Sequence, residues 1–154
     1  MRLLIWGVAA VALAGCMHVS IKDHPGEARL DGSASIDCAV KPSGAGTVTA
    51  TPVASHAISD TPGKTLTSVR LDVTPGANSN PHKHAGMVYV YVLEGAVCSQ
   101  ITGDAALKPY KAGDTFFEPP GSHHLGFTNP TNVPAKVLVT FVANTGDTLT
   151  SPLQ

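Results

Sequence analysis

The sequence predicts an all-β domain, a sandwich or a barrel built from short strands. Charged residues make up only 14% of the 154 residues, whereas 15 glycines and 12 prolines supply many turns. Apolar and β-branched residues come in short runs between these turns, and no run keeps a helical period. About eight short strands without a helix are typical of a sandwich or a barrel. The length suggests a single domain.

The strand-like runs begin at residue 47 and continue to residue 144. In the second run, Leu66, Val69, Leu71 and Val73 partly alternate with polar residues, as expected of a half-buried strand. The predicted strands lie within residues 47–58, 64–73, 87–95, 96–103, 115–120, 125–129 and 135–144. From residue 17 to residue 46 the sequence is polar and irregular, which is typical of a tether.

The first sixteen residues, MRLLIWGVAAVALAGC, are typical of an export signal. The apolar run of residues 3–14 is too short for a membrane-spanning helix, which needs about 20 residues. The tetrapeptide LAGC resembles the lipobox of bacterial lipoproteins, which implies cleavage before Cys16 and attachment of lipid to that cysteine. An ordinary signal peptide, cleaved nearby, is the alternative.

This resemblance implies a three-part organisation. Residues 1–15 are the signal peptide, residues 16–46 a largely irregular lipid-attached tether, and residues 47–154 the β domain. Met17 follows the cysteine in place of an aspartate, which resembles the outer-membrane sorting class. We therefore expect a protein of the cell envelope that is anchored in the membrane through Cys16 and faces the periplasm. The outer membrane is the expected location rather than the inner one.

Two cysteines remain in the mature chain, Cys38 and Cys98. In an oxidising compartment they could form a disulfide bond. They could equally be two separate buried thiols, because free cysteine packs as a small apolar residue. The sequence leaves both possibilities open.

A histidine pair precedes the most apolar run of the chain. His82 and His84 are one residue apart, so in a strand both imidazoles project to the same side, an arrangement that can chelate a metal ion. Without a bulge, Val88, Val90 and Val92 would share that side, which places the histidines at the mouth of an apolar pocket. A solvated pair without a metal is the alternative.

The opposite side of the same run is also apolar, with Tyr89, Tyr91 and Leu93. A strand that is apolar on both sides needs a cover on its outer face. Another strand, the N-terminal segment or a second subunit could supply it. A homodimer is therefore a possible assembly.

Two stretches together resemble the motifs of the cupin superfamily. Gly113, Pro119, Gly121 and His124 match the second motif, with Asn129 one residue later than usual; Gly76, His82, His84 and Gly95 match the first motif. The resemblance is to a small single-domain cupin of the type-2 kind. It implies a double-stranded β-helix, or jelly-roll barrel, with a metal ion held by His82, His84 and His124.

One position departs from the family pattern. The first cupin motif usually carries a glutamate ligand where this chain has Val88, and valine cannot bind a metal. Glu118 is the candidate replacement, because a charged residue after two phenylalanines is out of place in a plain core strand. It is the expected catalytic residue, acting as a ligand or as a general acid or base. A solvent-facing residue at the rim is the alternative.

Three neutral imidazoles can hold a divalent transition metal; we expect Fe or Mn, with Zn, Ni or Cu as alternatives. The resemblance extends to small dioxygenases of the cupin type and implies an enzyme for a small oxygenated organic substrate. The alternatives are isomerase or decarboxylase chemistry on a metal-bound carboxylate, a non-catalytic envelope module that binds a small ligand or metal, and a structural barrel without metal. With a net charge of −1 and 5% aromatic residues, we expect no nucleic-acid partner.

Overall fold

The computed structural model describes residues 35–40 and 45–153, which form antiparallel β-sheets without a helix. The strands are β1 (Val48–Ala57), β2 (Lys64–Val73), β3 (Asn78–Ser79), β4 (His82–His84), β5 (Met87–Glu94), β6 (Ala96–Ile101), β7 (Lys108–Lys111), β8 (Thr115–Glu118), β9 (His123–Thr128), β10 (Ala135–Asn144) and β11 (Thr150–Pro152). The predicted all-β fold class is confirmed, and the arrangement fits a jelly roll.

Two sheets make up the barrel. The first sheet has the order β1-β2-β10-β5-β8, and the second has the order β11-β4-β9-β6-β7 with β3 also paired to β9. Strands that are distant in sequence are therefore neighbours, as in β10 between β2 and β5. This topology brings β4, β8 and β9, which carry the predicted site residues, around one interior.

The core lies between the two sheets and follows from strand alternation. Along β10, buried residues alternate with partly exposed ones through nearly the whole strand. On β5, Val88, Val90 and Val92 are buried, whereas Tyr89 and Tyr91 are 46% and 40% exposed. The inner side of β5 is therefore core, and its outer side is an apolar surface in the described part of the chain.

The segment from His82 to Glu94 is two strands rather than one. β4 belongs to the second sheet and β5 to the first, and Gly86 with φ of +70° makes the turn between them. A Cβ atom at this position would collide with the backbone oxygen of Val142, so the turn requires glycine. The histidines and Val90 still face a common interior, but from opposite sheets.

The N-terminal part is described only in short pieces. The predicted signal peptide, Cys16 and most of the tether lie outside the described residues. Cys38 forms a disulfide bond with Cys98, with the two Cα atoms 5.8 Å apart, and this bond attaches residues 35–40 to β6. In the described residues, no helix has the length and apolar character that crossing a membrane requires.

Candidate metal centre

Two strands bring three imidazoles to one point inside the barrel. His82 and His84 come from β4 and His124 from β9, and pairing of these strands places His82 directly opposite His124. One ring nitrogen from each histidine lies within 4.8 Å of those of the other two. The histidine positions implied by the family motifs thus converge, in a geometry that can hold one metal ion.

Glu118 joins these histidines from the end of β8. Its Oε1 lies 3.4 Å from His124 Nδ1, its Oε2 lies 3.7 Å from His84 Nε2, and the residue is only 2% exposed. Glu118 stands directly opposite Val88 in the pairing of β5 with β8. A buried carboxylate therefore lies beside the histidines, on the strand next to Val88.

Backbone oxygens orient the two histidines of β4. His82 Nδ1 lies 2.7 Å from the backbone oxygen of Asn80, and His84 Nδ1 lies 3.2 Å from that of Leu149 and 3.0 Å from Thr150 Oγ1. Because a carbonyl oxygen only accepts, each Nδ1 donates its hydrogen, and each Nε2 keeps a free lone pair. These two Nε2 atoms lie 3.2 Å apart, and a shared cation would satisfy both.

Two buried atoms of the centre have no hydrogen-bond partner among the described residues. His124 Nε2 pairs with Ser99 Oγ at 2.9 Å, whereas His124 Nδ1 and Glu118 Oε2 find no partner in the described part of the chain. Unpaired polar atoms are uncommon in protein interiors because each loses its hydration without replacement. When His124 Nε2 donates its hydrogen to Ser99, Nδ1 keeps a lone pair beside a carboxylate oxygen; these are the donors that a divalent metal ion takes, so the residues fit such an ion.

Burial sets the protonation states of the centre. Loss of hydration, with the nearby His82 as a second cause, lowers the pKa of His124 to about 3 and that of His84 to about 4. Burial raises the pKa of Glu118 to about 7. The two imidazoles are therefore neutral at pH 7, so their contacts with Glu118 are not ion pairs, and their lone pairs are available to a metal.

The centre lies on the wall of a cavity of about 280 Å³. The rest of the wall is mainly apolar and includes Leu71, Val90, Phe116, Phe127 and Phe141. The centre thus faces an apolar chamber that can exclude water.

Two other histidines and a second glutamate lie away from the centre. His123 is exposed although it adjoins His124, since neighbouring residues of a strand point to opposite sides. His56 is exposed on the edge strand β1, and Glu94 pairs with Lys136 Nζ at 2.7 Å. These three residues take no part in the centre.

Two residues that hold the histidines were not singled out by the sequence. Ser99 binds His124, and Thr150 binds His84. Ser99 is only 2% exposed on β6, and a serine within the apolar run AVCSQI is the signal that could have indicated it. Thr150 lies near the C-terminus, where no motif directs attention to it.

A family model matches nearly half of the chain. Residues 69–141 match the family model described as "Cupin domain". The match includes the three histidines and Glu118, and it supports the assignment of the chain to the cupin superfamily. No curated protein sequence matches the chain.

Solved structures share the fold. The chain is similar to DMSP lyase DddQ from Ruegeria pomeroyi DSS-3, with 20% identity and a TM-score of 0.50, over 56% of this chain and 42% of that one. It is also similar to oxalate decarboxylase from Bacillus subtilis, with 23% identity and a TM-score of 0.51, over 57% of this chain and 24% of that one. The likeness thus spans less than half of each relative, and at these identities it shows the fold alone.

Proposed function

We propose that this cupin-type barrel holds one divalent transition-metal ion and acts with it on a small oxygenated organic substrate, in dioxygenase-like chemistry. The observation that carries the proposal is the convergence of three imidazoles and one buried carboxylate on an apolar cavity. Perturbed titratable groups in a cleft of this kind are typical of a functional site.

We assign His82, His84, His124 and Glu118 as the metal ligands. Two ligands that are each about 2.1 Å from one ion, at angles between octahedral and tetrahedral, lie about 3.0–3.4 Å apart. The separation of the two Nε2 atoms, 3.2 Å, and that of His124 Nδ1 from Glu118 Oε1, 3.4 Å, both fall in this range. A set of imidazoles with one carboxylate favours Fe or Mn, while Zn, Ni and Cu also accept such ligands.

The bound ion would supply a Lewis-acid and redox-active centre with positions open to substrate. The protein would hold that centre in place and keep it dry. The backbone oxygens of Asn80 and Leu149 fix the rings of His82 and His84, and Ser99 fixes His124. Glu118 would balance part of the ion's charge, and in return the ion would lower the pKa that burial raises.

The proposal includes an exported, lipid-anchored protein attached through Cys16 and facing the periplasm, with the outer membrane as the expected location. The disulfide between Cys38 and Cys98 supports export, because disulfides form in oxidising compartments. We also propose a homodimer through the outer face of β5, where Tyr89, Tyr91 and Leu93 are partly exposed.

Metal content tests the centre. The chain from residue 17 to residue 154, purified without its lipid anchor, should contain about one equivalent of transition metal by elemental mass spectrometry. His84→Ala should lose it, and His123→Ala should retain it because His123 is exposed outside the centre. Equal metal content in all three proteins, or no metal in the parent after reconstitution with Fe(II), Mn(II), Ni(II), Cu(II) and Zn(II), would contradict the proposal.

Oxygen uptake tests turnover. The Fe(II)-loaded protein, screened with small oxygenated organic compounds, should consume dioxygen in the presence of at least one of them, and His84→Ala should not. Ligand binding without oxygen uptake or any other turnover would make the protein a binding module of the envelope. That result would leave the metal centre intact and overturn the enzymatic part of the proposal.

A further inference from the structure

The wall of the cavity has almost no polar groups apart from the metal centre. Among the described residues that line it, none is a lysine or an arginine, and two, Ser79 and Thr150, carry a hydroxyl group. Thr150 Oγ1 is already paired with His84 Nδ1 at 3.0 Å. Ser79 is therefore the lining residue whose polar group is left for a bound molecule.

Ser79 lies at the second residue of β3, opposite Phe127 of β9. Its Oγ is buried and has no hydrogen-bond partner among the described residues. A buried hydroxyl without a partner costs stability, because it gives up hydrogen bonds to water and gains none. A polar atom of a ligand in the cavity would remove this cost.

The walls also select against charge. A carboxylate or an ammonium that enters an apolar chamber loses its hydration, and here no lysine or arginine among the described lining residues would balance an anion. The proposed ion, with Glu118 as its one carboxylate ligand, would keep a net positive charge, so an oxygen that meets the ion directly can carry negative charge. The part of the molecule that lies against the apolar walls is uncharged.

The volume sets the scale of that molecule. An apolar cavity of about 150 Å³ is large enough for benzene, so a cavity of about 280 Å³ has room for a single substituted ring. The phenylalanines of the wall can pack against its faces and edges.

We infer that the cavity binds a mainly apolar molecule of about single-ring size whose wall-facing part is uncharged, with one oxygen directed to the metal centre and a polar atom paired with Ser79 Oγ. This inference names the substrate class of the proposed function and rests on it for the contact with the metal. The contact with Ser79 and the exclusion of charge from the walls depend on the cavity walls alone.

Three probes of similar size separate the hydrogen bond to Ser79 from the effect of ligand charge. Acetophenone is neutral with one carbonyl oxygen, benzoate is anionic, and toluene has no polar atom. Their affinities are measured by NMR titration of the Zn-loaded protein, which reports the contact with the metal, and of the metal-free protein, in which the walls act alone. In the metal-free protein the parent should bind acetophenone at least about 10-fold more tightly than benzoate, because no lysine or arginine among the described lining residues compensates the buried charge. The effects of substitutions and the contradicting outcomes given below refer to this metal-free form.

Ser79→Ala should weaken acetophenone binding about 10-fold, the effect of one lost hydrogen bond, and leave toluene binding unchanged. Ser55→Ala, a control on the exposed side of β1, should change neither affinity. The Ser79 variant should fold normally, since it removes a hydroxyl that has no partner among the described residues. A thermal melt of each variant checks this.

Binding of benzoate as tight as that of acetophenone would overturn the inference, as would equal weakening of acetophenone and toluene by Ser79→Ala. Failure of the parent to bind either neutral probe would overturn it as well. Metal content is measured on the same samples. A protein without metal would refute the proposed function, and the probe comparison on the metal-free protein would still decide the inference about the walls and Ser79.

Discussion

Replacement of Glu118 by glutamine should have opposite effects on the metal-free and the metal-loaded protein. Burial raises the pKa of this carboxyl from 4.5 to about 7. Between these values the unfolded chain loses the proton while the folded chain keeps it, so the unfolded state binds fewer protons and stability falls as pH rises. The window is 2.5 pH units wide, and at about 1.4 kcal/mol for each unit the loss is about 3 kcal/mol.

Glutamine does not titrate, so the Glu118→Gln variant should lack this loss. Urea unfolding of the metal-free proteins at pH 5 and pH 8 gives the free energy of unfolding in each case. Between pH 5 and pH 8, the free energy of unfolding of the parent should fall by about 2–3 kcal/mol relative to that of the variant. The histidines titrate in both proteins, so their contribution largely cancels in the comparison.

Bound metal should instead stabilise the parent more than the Glu118→Gln variant. Loss of a ligand should weaken Mn(II) binding more than about 100-fold, since even residues that only orient a ligand commonly contribute 10–100-fold. At a Mn(II) concentration of about 100 times the parent's Kd, the metal should stabilise the parent by about 3 kcal/mol and the variant by less than about 0.5 kcal/mol.

Glu94→Gln is the matched control, because it makes the same chemical change on a carboxylate paired with Lys136 away from the centre. It should retain the metal-dependent stabilisation. The reasoning would be refuted if Glu118→Gln kept the parent's pH dependence, or if Mn(II) stabilised it as much as it stabilises the parent.

Three further predictions concern acid stability, a turn and the disulfide. The pKa values of His84 and His124 are lowered in the folded protein, so below about pH 6.5 unfolding lets these imidazoles take up protons. In the metal-free Glu118→Gln protein, the free energy of unfolding should therefore fall by up to about 1.4 kcal/mol per pH unit for each histidine. Urea unfolding from pH 7 to pH 5 measures this fall. Gly86→Ala should lower the free energy of unfolding by more than about 3 kcal/mol, since the new Cβ collides with a backbone oxygen of β10 and the positive φ is strained for alanine. Gly103→Ala has open space around its Cβ and should lower it by only about 1 kcal/mol. Thermal melts compare the two variants. Cys98→Ser should lower the free energy of unfolding by about 4 kcal/mol, the chain-entropy value for a sequence separation of 60, and an unchanged urea midpoint would contradict this.

The sequence predicts the long strands well and the short ones poorly. β2 and β10 have the predicted bounds, residues 64–73 and 135–144, because apolar positions recur along both runs. β3, β4 and β11 have only two or three residues, so they offer no period to read, and they form because a partner strand is already in place. The division between β4 and β5 at Gly86 depends on the approach of β10, which is a contact between distant parts of the chain.

The site shows the same division between local and tertiary information. The spacing of the two motifs predicts His82, His84 and His124 as site residues, and the charge after two phenylalanines indicates Glu118. That Glu118 stands opposite Val88 is a matter of strand register, which the sequence alone does not specify. The hydrogen bond from Ser99 likewise depends on the pairing of β6 with β9.

The central claim is that three imidazoles and the Glu118 carboxylate hold one ion inside the barrel. The most direct test is a crystal structure of the Mn(II)-loaded protein with an anomalous difference map recorded at the manganese edge. We expect a single peak about 2.0–2.3 Å from a nitrogen of His82, His84 and His124 and from an oxygen of Glu118. A peak elsewhere, or none at the histidines in a fully loaded protein, would contradict the account.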